Sequence, residues 1–468
     1  MADPLGDDLS AYETSAAPVW QAPKAETGRS GGAGGWIALA AGGGVLVVLS
    51  LLAAMVFSGG GDVPPSEPVA GVSGTSETSD SSQTPEDAGE QPDPVSAVVS
   101  RPSPPTVQDT TQIWVQACRP LHNSGFAPQY KSLGLKENAP LADASWSRAA
   151  AAGKLAQEYS ESLAGIRKAT ELGGGANFEI PTNQGVVWGL EHWEWRREGG
   201  DLVKAEAHWK ASQNDADGVF EAIKSLLALE QSLAGESAFV SQALRTSFRR
   251  DALVLIRGSL SRGFFSDQQL TELQTRLTRS DLRDGLRRSF SGECAIGMNI
   301  LSDPNLVADM IGGPNVVRML RYDHEKPDLD KWSKRLIAAA EQPWPKPLLE
   351  GRSVYTEIGQ RQRDRSAPLV AAPAILSGGP MAISATARAE FQTSAVLAAI
   401  AIERVYRDKG ALPAKLPGNW ADPYTGKPLQ YRPSGDRYRI VSAGPRAVAA
   451  EWPADRAGHD WEFLAGRK

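Results

Sequence analysis

The spacing of apolar residues predicts a mainly α-helical protein over most of the chain. From about Ala142, apolar residues recur every three or four positions, which is the period of one helix face. Helices are predicted over 217–234, 236–262, 267–279 and 281–302. The apolar stripe of the first comprises Val219, Ile223, Leu226, Leu227 and Leu233, and that of the second comprises Leu244, Phe248, Ala252, Leu255 and Ile256.

The connections between these helices are short, so the sequence predicts antiparallel helical hairpins that resemble helical-repeat or bundle packing. Ser266 and Gln269 have the spacing of a capping box, in which each side chain bonds the other's backbone amide at the start of a helix. No fixed repeat period is present. Surfaces of this architecture usually bind or scaffold other molecules.

A different pattern begins at Ile383. A long Ala-rich helix is predicted over 383–409, with Gly410 as its C-cap. Its core stripe comprises Phe391, Ala395, Ala398, Ile402 and Val405. Two short strands are predicted within 422–432 and 438–445, joined at Ser434-Gly435-Asp436, with a third strand in 459–464. The predicted fold class is therefore mainly α, with a small C-terminal α+β module.

Two stretches of this module carry a family resemblance: Asp422-Pro-Tyr-Thr-Gly-Lys-Pro-Leu-Gln-Tyr431 and Tyr438-Arg-Ile-Val-Ser-Ala-Gly444. They resemble the C-terminal part of the major pseudopilins of type II secretion, which implies a long helix followed by a small antiparallel sheet. Residues 30–45 lack the Glu of the pseudopilin membrane helix, so the resemblance does not imply assembly into a fibre. Pro445-Arg446-Ala447 stands where a calcium-binding Asp is required, so no metal is expected there.

The helical middle also resembles a group of bacterial single-pass membrane proteins of no assigned function. The similar stretches are LLALEQSLAGESAFVSQALRTSFRRDAL, FSDQQLTELQTRL and DPYTGKPLQYR. This resemblance implies an architecture and no reaction.

The segment Trp36–Phe57 has 22 residues and no charge, and a helix of that length spans about 33 Å, enough for one bilayer crossing. Lys24 and Arg29 precede it closely, so we expect an uncleaved signal-anchor in the inner cell membrane with residues 1–35 in the cytoplasm. Residues 58–107, rich in Pro, Ser and acidic residues, are predicted to be a disordered tether. The expected extracytoplasmic part then comprises an α-helical domain over 108–382 and the pseudopilin-like module over 383–468.

Charge is distributed unevenly between these parts. Residues 1–107 hold 13 acidic and three basic residues, whereas the remainder of the chain has a net charge of +4. Ten Arg lie within Leu244–Arg288 against five acidic residues. This stretch, 245–288, forms either solvated helix faces or a surface for an acidic partner or the membrane. Aromatic residues are sparse there, and we expect no nucleic-acid partner for an extracytoplasmic domain.

The best candidates for catalysis are Glu191 and Glu194, which lie among Trp188, Trp193 and Trp195. Paired carboxylates with aromatic platforms suit glycan cleavage, since burial beside indole rings raises a carboxyl pKa. The alternative is an amphipathic segment whose indoles anchor packing and whose charges are solvated. No motif of a known enzyme class is present.

Neither the histidines nor the cysteines provide a recognisable metal or cofactor site. The five His residues lack metal-ligand spacing, so we expect no metal and no cofactor. Cys118 and Cys294, the two cysteines, either form a disulfide or remain as buried thiols.

The sequence therefore favours a membrane-anchored extracytoplasmic scaffold or adaptor that binds other proteins of the envelope. Two alternatives stay open. One is an envelope enzyme that processes a glycan polymer with Glu191 or Glu194 as the acid. The other is an accessory of a type II secretion-like apparatus.

Overall fold

A computed structural model describes residues 109–178 except 123 and 137, and 190–303, 305–306, 322–363, 371–445 and 460–464. The first helices are α1 (Thr111–Cys118), α2 (Phe126–Ser132), α3 (Ala149–Glu158), α4 (Ser160–Glu171), α5 (Leu190–Ser212), α6 (Ala216–Ser232) and α7 (Phe239–Leu260). They are followed by α8 (Asp267–Arg279), α9 (Leu282–Ile300), α10 (Tyr322–Ala340), α11 (Lys346–Arg363), α12 (Ala371–Ile375) and α13 (Gly379–Lys409). Among the described residues that follow, there are three strands: β1 (Gln430–Ser434), β2 (Arg437–Val441) and β3 (Asp460–Leu464).

Two apolar cores organise these elements, and helix α13 belongs to both. The larger core is built by helices α1 to α8, the sheet and the second half of α13, which contributes Phe391. The smaller core lies among α9 to α12 and receives Ile383 from the first half of α13 and Phe239 from the start of α7. The protein is thus mainly helical with a small C-terminal sheet, as the sequence predicts.

The predicted apolar stripes face these cores. Every stripe residue named for the helices now assigned as α6 and α7 is buried. In α13 the stripe is buried up to Ile402, and Val405 is half-buried. Helix α8 has the predicted bounds, and its capping box is formed: Gln269 N–H donates to Ser266 Oγ and Ser266 N–H donates to Gln269 Oε1.

Helix α7 begins three residues later than predicted, at Phe239, because Ala238 is extended. Its first amide, Phe239 N–H, donates to the partly buried Glu293 side chain of α9 at 2.8 Å. Glu236 therefore lies in the connection between α6 and α7, where its side chain is available for contacts with α5. Sequence reasoning placed it inside the helix because the apolar period does not mark the first turn.

A buried ion network joins α6, α7, α8 and α9. The Glu230 carboxylate of α6 accepts hydrogen bonds from Arg245 Nε at 3.1 Å and from Arg249 Nε at 2.9 Å, and from the Ser280 hydroxyl. Arg245 also donates to the backbone carbonyl of Asp281, the N-cap of α9. These charges are buried, so each depends on its partners for the solvation that water would give.

The C-terminal sheet is antiparallel with the order β1-β2-β3, and its inner face packs on α7. The third strand lies where the sequence predicts it. The first differs: β1 begins only at Gln430, because the preceding residues form a turn. In that turn the buried Asp422 carboxylate accepts from Tyr424 N–H, Ser442 Oγ and Ala443 N–H at 2.8 to 3.0 Å.

Asp422 thereby connects the two stretches that carry the pseudopilin resemblance. Ser442 and Ala443 follow β2, whereas Tyr424 precedes β1, so one carboxylate fixes both ends of the hairpin. In the structure, Asp422 and the residues that it contacts stabilise the β1–β2 hairpin.

Several predicted features lie outside the described residues. They are the tail 1–35, the segment Trp36–Phe57, the tether 58–107 and Trp188. Across the described ranges, every helix is too short or too polar to serve as a bilayer crossing.

Replacing Glu230 with Ala should lower the free energy of unfolding by about 3–5 kcal/mol, because two buried guanidinium groups lose their anion. The measurement is urea unfolding of the full-length chain followed by Trp fluorescence. Glu221→Ala is the matched control on the same helix, since its side chain is half exposed and pairs with Lys224, a contact worth at most about 1 kcal/mol. Equal losses in the two variants would contradict the network's role.

Replacing Asp422 with Ala should lower the free energy of unfolding by about 2–4 kcal/mol, because buried donors of the hairpin lose their acceptor. The same unfolding assay measures it, and Asp408→Ala, at an exposed position near the end of α13, should change stability by less than about 0.5 kcal/mol. A wild-type midpoint in Asp422→Ala would show that the turn is not fixed by this side chain.

Candidate functional site

The segment Glu191–Arg197 lies on α5 and directs its indoles inward. Trp193 and Trp195 are buried. Trp193 Nε1 donates to Glu236 Oε2 at 2.8 Å and lies 2.9 Å from Ser241 Oγ. The acid that meets the indole is thus Glu236, from a loop 43 residues farther along the chain, and it is neither Glu191 nor Glu194.

Glu236 is the centre of a buried polar cluster that joins α5 to the start of α7. Its other partners are the Arg196 guanidinium, the Ser241 hydroxyl and His192 Nε2, the last at 3.4 Å. The His192 ring stacks on the Phe178 ring with centroids 5.2 Å apart, and the Arg196 guanidinium lies over the Phe178 ring. We refer to Phe178, His192, Trp193, Arg196, Glu236 and Ser241 as the Glu236 cluster.

The electrostatics of this cluster are those of a structural ion pair. Burial alone raises the pKa of the Glu236 carboxyl, but Arg196 and the hydrogen bonds from His192 and Ser241 outweigh it and lower the pKa to about 2. A carboxylate with so low a pKa is a poor general acid at neutral pH. The cluster therefore stabilises the packing of α5 on α7.

The two predicted catalytic carboxylates have different surroundings. Glu191 is exposed, whereas Glu194 is partly exposed and lies 3.6 Å from His122 Nε2. The other nitrogen of His122 lies 3.5 Å from the buried Glu198, whose pKa is raised by its burial against the opposing effect of His122. Each ring nitrogen of His122 thus faces a carboxylate. These two contacts link the turn that follows α1 to helix α5. Sequence reasoning missed Glu198 and His122 because they are 76 residues apart.

The arginines of the stretch 245–288 fall into two groups, according to the side of the helix on which each one lies. Arg245 and Arg249, one turn apart, point inward to Glu230 and are 3 % and 1 % exposed. The expectation of solvated helix faces is therefore wrong for these two residues, because Glu230 of the preceding helix provides a buried counterion. Arg287 and Arg288 pair with Asp284 on the surface of α9, as solvated helix faces do.

Cys118 and Cys294 are both buried and are not joined by the disulfide considered from the sequence. Cys118 ends α1 and Cys294 lies on α9, and they belong to different parts of the fold. Burial, reinforced by the charge of Glu198 and opposed by Arg196, raises the pKa of the Cys118 thiol to about 12. In the described part of the chain, no group of three or more His, Cys, Asp or Glu side chains is placed to hold a metal ion.

A groove between α7 and α13 forms a recess with partly exposed walls. Helix α13 contributes one face, at spacings of three and four residues, and α7 contributes two positions one turn apart. The lining residues are Thr246, Arg250, Met381, Ser384, Ala385, Arg388, Ala389 and Gln392. We call this recess the α7–α13 groove.

One buried polar atom beside the α7–α13 groove has no hydrogen-bond partner among the residues that the structure describes. Gln392 is 1 % exposed, and within those residues its side-chain oxygen accepts no hydrogen bond. A buried acceptor left unpaired costs free energy. Arg250 of the groove is adjacent in sequence to the internal Arg249. The high frequency of Arg in this stretch does not indicate which of the two side chains faces the interior.

Comparisons with known proteins found no similarity. No family model matches the chain, and no curated protein or solved structure matches it either.

The low pKa of Glu236 predicts an acid-sensitive contribution to stability. A carboxyl whose pKa falls on folding stabilises the protein fully above its unfolded pKa of 4.5, and that contribution, about 3 kcal/mol, is lost as pH falls toward about 2. Urea midpoints measured from pH 5 to pH 2 should fall more steeply for the wild type than for Glu236→Gln. Glu191→Gln, at an exposed position, should retain the wild-type slope, and parallel curves for wild type and Glu236→Gln would contradict the assignment.

Proposed function

We propose that this chain is a membrane-anchored extracytoplasmic scaffold or adaptor that binds other proteins of the envelope. In this proposal Trp36–Phe57 anchors the chain in the inner membrane, and residues 58–107 separate the helical domain from the bilayer. The domain presents its surface to partners and catalyses no reaction.

The observation that supports this proposal is the set of contacts made by the side chains of the segment Glu191–Arg197 on α5. The Trp193 indole and Arg196 converge on Glu236, which has a depressed pKa and accepts hydrogen bonds from several donors of its own fold. Glu191 is exposed, and Glu194 contacts His122. A glycan-cleaving site requires two carboxyl groups that face one substrate, one of them with a raised pKa. The surroundings of Glu191 and Glu194 favour a structural segment instead.

The distribution of apolar surface also bears on the kind of binding. Among the residues described, Leu349 is the large hydrophobic side chain that is exposed, at 49 %. Stable partners that bury a broad apolar face leave such a face visible in the free protein. The domain is therefore suited to polar, reversible contacts such as those of an adaptor.

The proposal predicts that partners are recovered independently of the acid pair on α5. Crosslinking in intact cells, followed by purification of the full-length chain from membranes, should recover the same partner proteins with wild type and with the double variant Glu191→Gln, Glu194→Gln.

Externally added protease should digest the domain in spheroplasts, since the proposal places the domain outside the inner membrane. Loss of a glycan-processing phenotype in the double variant, with normal protein levels, would support the enzyme alternative instead.

A further inference from the structure

We propose that residues 138–148 form a strap that is held against α5 and α7 at neutral pH and is released when His208 of α5 takes up a proton. The strap belongs to the connection between α2 and α3. This inference goes beyond the proposed function and does not depend on it, since the contacts that carry it lie within the helical domain.

The strap is attached to the rest of the fold at two adjacent buried residues. Leu141 and Ala142 are each 7 % exposed, whereas most of its other side chains are exposed. The Leu141 carbonyl accepts a hydrogen bond from Arg262 Nη2, which follows α7. Leu141 also fills the space beside Gly258 of α7, where an added Cβ would lie 2.6 Å from the Leu141 Cβ. A segment with so few buried side chains opens at a lower free-energy cost than the helices beneath it.

The ring of His208 holds Ala142 in place. Ala142 N–H donates to His208 Nδ1 at 3.2 Å, and the Trp146 ring of the strap lies beside the imidazole with centroids 5.8 Å apart. A backbone N–H is always a donor, so Nδ1 must keep its lone pair for this bond to exist. The closed strap therefore requires a neutral imidazole. Protonation replaces the acceptor with a second N–H that faces the Ala142 N–H, and the bond is lost.

The surroundings of His208 oppose its charged form. The side chain is 1 % exposed, and the charged groups that act on it are Lys204 of α5, Asp251 of α7 and Arg262. Burial is the main cause that lowers the pKa of His208 to about 4; Lys204 and Arg262 reinforce it, and Asp251 opposes it. Asp251 Oδ1 lies 3.2 Å from Lys204 Nζ, so this anion already has a cation beside it. On the strap itself Asp143 is exposed and interacts with Arg262.

The difference in proton affinity between the two forms sets the direction of the response. When the strap opens, water reaches the ring and the pKa of His208 returns toward 6.5. The open form then binds the proton more tightly, so opening increases as pH falls from about 6.5 toward about 4. With these values the ratio of open to closed strap rises about tenfold between pH 7.5 and pH 5.5.

The test is hydrogen–deuterium exchange of the full-length protein in detergent, followed by mass spectrometry at pH 7.5 and pH 5.5. Each rate is divided by the intrinsic exchange rate at the same pH, so that it reports opening alone. The protection of the strap amides should fall about tenfold at pH 5.5, and the strap should exchange faster than α6 at both pH values. Equal protection at the two pH values would overturn the proposal, and so would a strap that exchanges only together with α6.

His208→Asn separates protonation from packing. The Asn oxygen accepts a hydrogen bond from a backbone N–H and takes up no proton, so the strap should keep at pH 5.5 the protection that it has at pH 7.5. His122→Asn is the matched control, since it removes a histidine that contacts Glu194 and Glu198 instead of the strap. This control should retain the tenfold fall of the wild type. A tenfold fall in His208→Asn would assign the response to another group and would contradict the proposal.

The wild-type pH profile gives a second measurement, which decides the matter even if His208→Asn does not fold. Protection of the strap amides should begin to decline near pH 6.5 and should continue to decline toward pH 4.5. A profile that is flat down to pH 5 and falls only below it would indicate titration of carboxyl groups and would rule out His208 as the group that releases the strap.

Discussion

The architecture depends on one buried carboxylate, Glu230, and the two arginines that it holds. Glu230 is on α6, and Arg245 and Arg249 are on α7. The two guanidinium groups also donate to backbone carbonyls at the end of α8 and the start of α9. Ionised groups without water tolerate little displacement, because every lost hydrogen bond exposes an uncompensated charge to an apolar interior. The network therefore fixes the rotation of α7 about its axis. That rotation directs Arg245 and Arg249 inward and places Thr246 and Arg250 on the groove.

Helix α13 supplies the second constraint, since it takes part in both apolar cores. Its first half is buried among α9 to α12, and its second half is buried in the larger core with the sheet. A helix buried on several sides needs small side chains where neighbours approach, which explains its many alanines. The face that is left less covered is the one that lines the α7–α13 groove. The same packing that joins the two cores thus produces the α7–α13 groove.

The clusters around Glu230 and Glu236 show how charged residues that look functional in a sequence become structural in the fold. In both, a buried carboxylate meets arginine from another part of the fold, away from water. Removing one partner of such a pair is costly, although the intact pair contributes modestly relative to apolar packing. Buried ion networks of this kind specify which helices pack together. Arg250 and Arg388, by contrast, line the α7–α13 groove beside side chains that are partly exposed.

The pattern of residues along the chain predicts the helical class, the capping box of α8, the buried stripes of α6, α7 and α13, and the C-terminal strands. These features are encoded by local periodicity and by residues three or four positions apart, so a linear pattern suffices to find them. Tertiary structure alone decided that Glu236, rather than Glu191 or Glu194, meets the indole of Trp193, that Arg249 turns inward while Arg250 lines a groove, and that Cys118 and Cys294 stay apart. Each of these depends on contacts between helices distant in sequence, and no periodicity records which helix face meets which neighbour.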